Sequence, residues 1–152
     1  MNKMLKHSNG FGLIEVVIGA AINVFATSHR LESELIRKIE AQYLAEEGIE
    51  VARFLRDSSW NASITPLTLS TGYYLDFNGS VWRATSTPSL VGGIFERKVT
   101  FSTGYRDGNN DIAESGIADD DLRKVTVSVA WPVRGSTTTL NLVTYLTNLF
   151  DN

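Results

Sequence analysis

No proline occurs between residues 11 and 65, and helix-forming residues dominate as far as Asp57. Because proline removes a backbone donor and breaks a helix interior, its absence permits one uninterrupted helix. We therefore expect a continuous helix over residues 11–57, about 70 Å long at 1.5 Å per residue. The following run "DSSWNAS" is rich in turn-forming residues and predicts the end of that helix.

The first part of this predicted helix is apolar. Residues 11–26 follow a short flank with two lysines and are polar only at Glu15 and Asn23. The run spans roughly 24 Å, somewhat less than a hydrocarbon core of ~30 Å. A carboxylate in hydrocarbon costs on the order of 2.5–3.5 kcal/mol. A secretory signal peptide cut near Ala26 and an uncleaved anchor are two possible interpretations, and both leave Glu15 without a partner.

A third interpretation, cleavage after Gly10, gives Glu15 a partner. Phe11 then becomes the N-terminus, and Glu15 lies one helical turn from the new α-amino group. The partial positive charge of a helix N-terminus also favours a carboxylate in the first turn. The amine of the same chain or that of a neighbouring chain would compensate the charge in a dry helical bundle.

The run "GFGLIEV" after a short Lys-containing leader resembles the processing motif of type IV pilins and pseudopilins. The resemblance implies that prepilin peptidase cuts between Gly10 and Phe11, that Phe11 is N-methylated, and that Glu15 registers subunits during assembly. Residues 41–57, "AQYLAEEGIEVARFLRD", resemble the second half of the long helix in minor-pilin-like proteins. Two departures are Gly12, where the family often has Thr or Ser, and Asn23 within the apolar run.

The expected fold class is α+β, with the pilin fold implied by the resemblance: a long N-terminal helix packed on a small antiparallel β-sheet head. Residues 1–10 are the leader peptide and residues 11–57 the helix. Within the helix, residues 11–30 form the membrane or filament core, and residues 31–57 pack on the head and on neighbours. Residues 58–152 form the β-rich head.

The apolar side of the predicted helix changes along its length. Residues 41–55 have an apolar or small-residue stripe within an arc of about 120°, made of Ala41, Leu44, Ala45, Gly48, Val51, Ala52 and Leu55. Between residues 31 and 43 the apolar side chains lie on a different side, at Leu31, Leu35, Ile39 and Tyr43. We expect the first stripe to pack on the head and the second to meet neighbouring helices. The alternative is the ragged stripe of a long surface helix.

The head has the patterns of antiparallel strands. "TGYYLDFNGSVWRAT" predicts a hairpin with a type I′ turn at Asn78-Gly79. "KVTVSVAW" places three valines and Trp131 on one face, whereas Arg97 breaks the alternation of "FERKVTFS". A last strand, "TTTLNLVTYLTNLF", follows a turn at residues 132–135. The three tryptophans are expected to pack in the core.

The stretch "RDGNNDIAESGIADDD", residues 106–121, is predicted to be a long acidic loop. Asp107, Asn109 and Asp111 alternate as in oxygen-ligand calcium loops. Ile112 lies where the EF-hand pattern needs glycine, and the glutamate at the twelfth position is missing. A calcium site and a solvated turn-rich loop both remain open, and no other cofactor is expected.

Composition narrows the function classes. The chain has no cysteine and two histidines, which leaves no thiol chemistry and almost no histidine chemistry. With 14 Lys and Arg against 17 Asp and Glu, it lacks the basic surface of a nucleic-acid binder. We expect no enzyme but a structural subunit of a type IV pilus-like filament, a minor pilin or pseudopilin. An adhesive or DNA-uptake tip pilin and a type II secretion pseudopilin are the alternatives.

The same resemblance implies the partners and the location. The partners would be other pilin subunits through the N-terminal helix, prepilin peptidase, the inner-membrane assembly machinery, and membrane lipid before assembly. The chain would be a single-pass protein of the inner membrane before it enters an extracellular or cell-surface filament.

Overall fold

The structure, a computed structural model, describes residues 11–150, except for the side chains of Phe11 and Leu13. It contains a helix α1, Phe11–Ser58, a π-helical turn, Trp60–Ile64, and seven strands. The strands are β1 Gly72–Phe77, β2 Trp82–Thr85, β3 Leu90–Val91, β4 Phe95–Arg106, β5 Ile112–Ala113, β6 Ile117–Val133 and β7 Ser136–Thr147. The α+β class, with a long N-terminal helix and an antiparallel sheet, is confirmed. The predicted leader, residues 1–10, lies outside the described residues.

The chain divides into two compact units, residues 1–38 and residues 39–152. The described part of the first unit is entirely helical and belongs to α1. The second unit contains the rest of α1 and all seven strands.

The sheet has the order β2-β1-β4-β6-β7, and all of its pairings are antiparallel. One edge of β4 pairs with β6, and its other edge pairs in turn with β3, β1 and β5. Strand β6 also pairs with β7 over twelve consecutive residues of β7. The two long strands β4 and β6 therefore form the centre of the sheet.

Helix α1 packs on the sheet through small residues in the second unit. Ala41, Ala45 and Ala52 are fully buried, as is Val127 at the centre of β6. A Cβ atom added to Gly48 would lie 2.7 Å from Cγ1 of Val127, closer than carbon atoms approach. The predicted stripe is thus the core-facing side of the helix, although Leu44 is half-buried and Ile49, which the stripe omitted, is buried.

The strand faces follow the predicted alternation, and Arg97 keeps its place in it although its side chain is polar. Val125, Val127, Val129 and Trp131 are all buried on the core side of β6. Arg97 does not point to solvent but lies on the same core side of β4 as Phe95 and Val99, with 4 % of its surface exposed. Its guanidinium donates a hydrogen bond to Glu47 of the neighbouring helix. Trp60 is also buried and Trp82 packs against the core, so the expected packing roles are confirmed.

Both predicted turns differ in detail from the structure. The β1–β2 hairpin is present, but a four-residue connection joins its strands, and Asn78 is not in the left-handed region that a type I′ turn needs. Instead, its side-chain oxygen accepts hydrogen bonds from the amides of Ser80 and Val81. The two-residue turn with positive φ at both positions is Arg134-Gly135, between β6 and β7.

Gly48→Ala tests the close approach of helix and sheet. Because its methyl group would overlap Val127, we expect the free energy of unfolding to fall by about 1–3 kcal/mol. Chemical denaturation measures the change, and Val127→Ala in the same chain should recover part of it. Gly19→Ala, at a helical glycine with open space around it, is the matched control and should be neutral or stabilising. Equal effects at both glycines would contradict this packing.

Candidate assembly surface and polar sites

The first unit exposes a large apolar surface on α1. Val16 and Phe25 are 70 % and 66 % exposed. They belong to a set of exposed apolar side chains comprising Ile14, Val16, Val17, Ile18, Ile22, Val24 and Phe25. Isolated soluble proteins seldom expose a contiguous apolar area of this kind, so such surfaces mark contacts with other molecules. Among the described residues, no helix is long and apolar enough to cross a membrane.

The polar residues of this segment differ in how they are accommodated. The amide of Asn23 donates to the carbonyl of Gly19 at 2.9 Å, and the hydroxyl of Thr27 donates to the carbonyl of Asn23 at 2.8 Å. Such bonds to the preceding turn satisfy polar side chains within an apolar helix. They explain how the helix accommodates Asn23 in its apolar run. Glu15, the acidic residue of this segment, is exposed beside Ile14 and Val16.

The second predicted stripe is also exposed. In the first unit, Leu31 and Leu35 each expose more than half of their surface. In the second unit, Ile39 does the same and Tyr43 is 67 % exposed. The structure thus separates them from the buried stripe, while their contact with neighbouring helices stays a prediction.

The three calcium candidates lie in a tight turn after β4. The side-chain oxygen of Asp107 accepts hydrogen bonds from the amides of Asn109 and Asp111, at 2.9 and 3.0 Å. Asp107 also donates its own amide to the carbonyl of Asp111. Over residues 11–150, no group of three or more acidic or histidine side chains is placed to hold a metal ion. The carboxylate of Asp107 therefore already has a structural role as an acceptor within the turn.

The acidic stretch is not the long loop that its composition suggested. Strand β5 and the start of β6 both lie within residues 106–121. The register between β4 and β6 shifts at Thr103 and Gly104, and residues 120–122 bulge from the pairing. Gly104 is required here because a Cβ atom would lie 2.3 Å from Cγ of Leu122. Only tertiary pairing determines this bulge, although glycine within a strand is a sequence signal for one.

Ion pairs stabilise this irregular region. The guanidinium of Arg106 donates to Asp119 at 2.6 Å, and Asp119 also accepts the amide of Asp121. These two bonds lower the pKa of Asp119, with Arg106 as the larger cause. Arg123 is buried, donates to the carbonyls of Asp120 and Leu122, and lies over the ring of Trp60. The Asp119 carboxylate is therefore paired with Arg106 and a backbone amide, and the Asp121 carboxylate accepts the side-chain amide of Asn148 at 3.0 Å.

A polar depression of about 350 Å³ lies on the sheet surface next to this region. Lys124 forms an ion pair with Glu114, and the hydroxyl of Tyr145 donates to the same carboxylate at 2.9 Å. Lys124 is the larger cause of the lowered pKa of Glu114. No sequence pattern predicts this cluster, because Lys124 lies in β6, Tyr145 in β7 and Glu114 in the loop before β6.

Comparison with known proteins adds no relative. No family model, no curated protein and no solved structure matches the chain.

Asp107→Asn and Asp107→Ala distinguish the two interpretations of the turn. Asparagine retains the acceptor oxygen and should leave thermal stability almost unchanged, whereas alanine should lower the free energy of unfolding by about 1 kcal/mol. Thermal melts of all three chains, with calcium and with chelator, provide the measurement. A melting temperature that rises with calcium in the original chain but not in Asp107→Asn would instead establish a metal site.

Asp119 predicts a dependence of stability on acid. Because its pKa is lowered in the folded chain, folding favours the ionised carboxylate. This stabilisation is complete above the ordinary pKa of about 3.9 and disappears as pH falls through the lower folded value. Asp119→Asn should therefore lower stability at pH 7 and flatten the decline of stability between about pH 5 and pH 2. Urea denaturation across pH measures both effects, and a parallel decline in the two chains would contradict the assignment.

Proposed function

We propose that the chain is a structural subunit of a type IV pilus-like filament, a minor pilin or a pseudopilin, with a pilin-type head. The observation that carries the proposal is the exposed apolar surface on the first part of α1. Its side chains, from Ile14 to Phe25, come soon after the cleavage position of the motif, and Glu15 is exposed among them.

Assembly through α1 would account for both the exposed apolar surface and the acidic residue Glu15 within it. Neighbouring helices in a bundle would cover Val16, Phe25 and the other exposed apolar side chains, which favour an apolar environment over water by about 25 cal/mol per Å². An amine at a newly formed N-terminus would compensate Glu15 in that dry environment, where an unpaired carboxylate is costly. Before assembly, the same surface would lie in the inner membrane.

The arrangement of the polar residues supports a structural role rather than an enzymatic one. The described charged clusters, such as Arg106 with Asp119 and Lys124 with Glu114, are ion pairs that tie strands and loops together. Their pKa shifts favour the charged forms of both partners where they are resolved, as in Lys124 and Glu114. Groups fixed in this way are less suited to exchange protons near neutral pH.

N-terminal analysis of the mature protein is the direct test. A chain that begins at an N-methylated Phe11 would support the proposal, because methylation of phenylalanine distinguishes prepilin processing from other cleavage. Mass spectrometry of the protein from its native membrane or filament fraction provides the measurement. A start near Thr27 would contradict the proposal and establish the secretory signal peptide.

The role of Glu15 is tested separately by Glu15→Ala, with Glu32→Ala as the matched control on the same helix. Both variants should insert into the membrane and be processed to the same N-terminus. We expect only Glu15→Ala to lower incorporation into filaments, by roughly tenfold or more, since a buried charge pair would be lost. Immunoblots of sheared filaments and membranes measure the ratio. Normal filaments from Glu15→Ala would exclude this role for the carboxylate.

A further inference from the structure

Strand β7 forms a long open edge of the sheet. It pairs with β6 over twelve residues, from Ser136 to Thr147, without any shift of register. Among the described strands, none pairs with its other side. Because an antiparallel strand directs alternate backbone groups to each side, about half of the amides and carbonyls of β7 point to this open edge.

This edge lacks the features that normally prevent strands from pairing with other chains. Protected edges are short, or contain charges, prolines or bulges. The sequence of β7, "STTTLNLVTYLT", has no charged residue, no proline and no glycine. The opposite outer strand β2 is four residues long and contains Arg83, which forms an ion pair with Asp76 of β1. The same sheet is therefore protected at one edge and open at the other.

Side chains beside the open edge are incompletely covered. Leu140 and Leu142 face the core but remain half-buried, and Val143 on the other face is 48 % exposed. An added strand would cover part of these side chains while it satisfied the outward backbone groups. Both effects favour the pairing of a further β-strand with this edge.

We propose that β7 is a pairing surface for β7 of a second copy of this chain, in antiparallel two-fold symmetry. In such a pair β7 lies against β7 of the other copy, so like charges in the strand could face each other. The chain has 31 Lys, Arg, Asp and Glu residues, yet none of them lies in β7, and this composition favours self-pairing because no like charges can oppose it. The contact is isologous and closes at two copies.

The pairing does not depend on the proposed filament function. All of its residues belong to the unit of residues 39–152, whereas assembly would use the apolar surface of the first unit. Glu15→Ala should therefore leave the β7 contact unchanged, which separates the failure of one proposal from the failure of the other.

Val143→Lys and its matched control Val143→Thr test the pairing in the full chain, in detergent that keeps the N-terminal helix covered. Threonine keeps the β-branched shape without charge, so its dimer should resemble that of the original chain. Lysine brings like charges together across the paired strands and should weaken association about tenfold, with partial recovery at high salt. Sedimentation equilibrium over a range of protein concentrations measures the dissociation constants.

Cysteine cross-linking maps the contact. Since the chain has no cysteine, every disulfide of a single-cysteine variant joins two copies. Opposed residues of antiparallel strands have Cα atoms about 4.5–5.5 Å apart, within disulfide range. Only the residue at the two-fold axis lies opposite its own copy, so we expect covalent dimers from one region of a single-cysteine scan over residues 137–146, and none above background from Arg83→Cys on β2.

The outcomes decide the proposal. A chain that stays monomeric at all concentrations overturns it, even if β7 then captures an extended peptide from another protein. Association that Val143→Lys leaves unchanged, or cross-linking at Arg83→Cys equal to that on β7, also overturns it. Weakened association in Val143→Lys alone, with cross-links confined to β7, establishes the pairing.

Discussion

The close approach of helix α1 to strand β6 is the constraint on which the rest of the head depends. At Gly48 the helix backbone comes so near to Val127 that no side chain fits between them. The fully buried Ala41, Ala45 and Ala52 extend this contact along the helix. Because small residues bring the backbones together, the valine side chains of β6 fill the interface beside them. Tyr43, a large residue of α1, lies on another side of the helix and is exposed.

The same proximity explains why a charged residue can lie in the interface. Arg97 of β4 is buried, and its guanidinium donates to Glu47 and to the carbonyl of Leu44 on α1 while it lies 5.8 Å from the ring of Trp82. A buried ion pair contributes little net stability, because desolvation offsets most of the attraction. Its directional bonds do fix the position of the helix along its axis relative to the sheet. We infer that Arg97 sets this register, while the alanine and valine surfaces supply most of the stabilisation.

The two proposed contacts with other molecules have different symmetry. Helix-to-helix assembly through the apolar part of α1 is heterologous, and repeated heterologous contacts build an open filament. Pairing through β7 is isologous and stops at two copies. Backbone hydrogen bonds would determine the second contact, whereas packing of apolar side chains between helices would determine the first.

Long periodic patterns in the sequence were sufficient to predict much of this fold. The proline-free stretch specified α1 to within one residue at its end, and the alternation from Val125 to Trp131 specified the core side of β6. The motif around Gly10 and Glu15 likewise carried the functional hypothesis, because cleavage residue, spacing and charge lie next to each other in the chain. These features depend on neighbours within one turn or one strand.

Tertiary structure alone decided where residues meet partners that are distant in the chain. It turned Arg97 inward because Glu47, fifty residues earlier, lies opposite. The end of the acidic stretch likewise belongs to a bulged strand and not to a loop, because Gly104 leaves room for the side chain of Leu122. The open edge of β7 likewise follows from the strand order, which β7's own residues do not encode. The physical reason is common to all three: sequence determines local conformation, whereas burial and pairing depend on which distant surfaces the folded chain brings together.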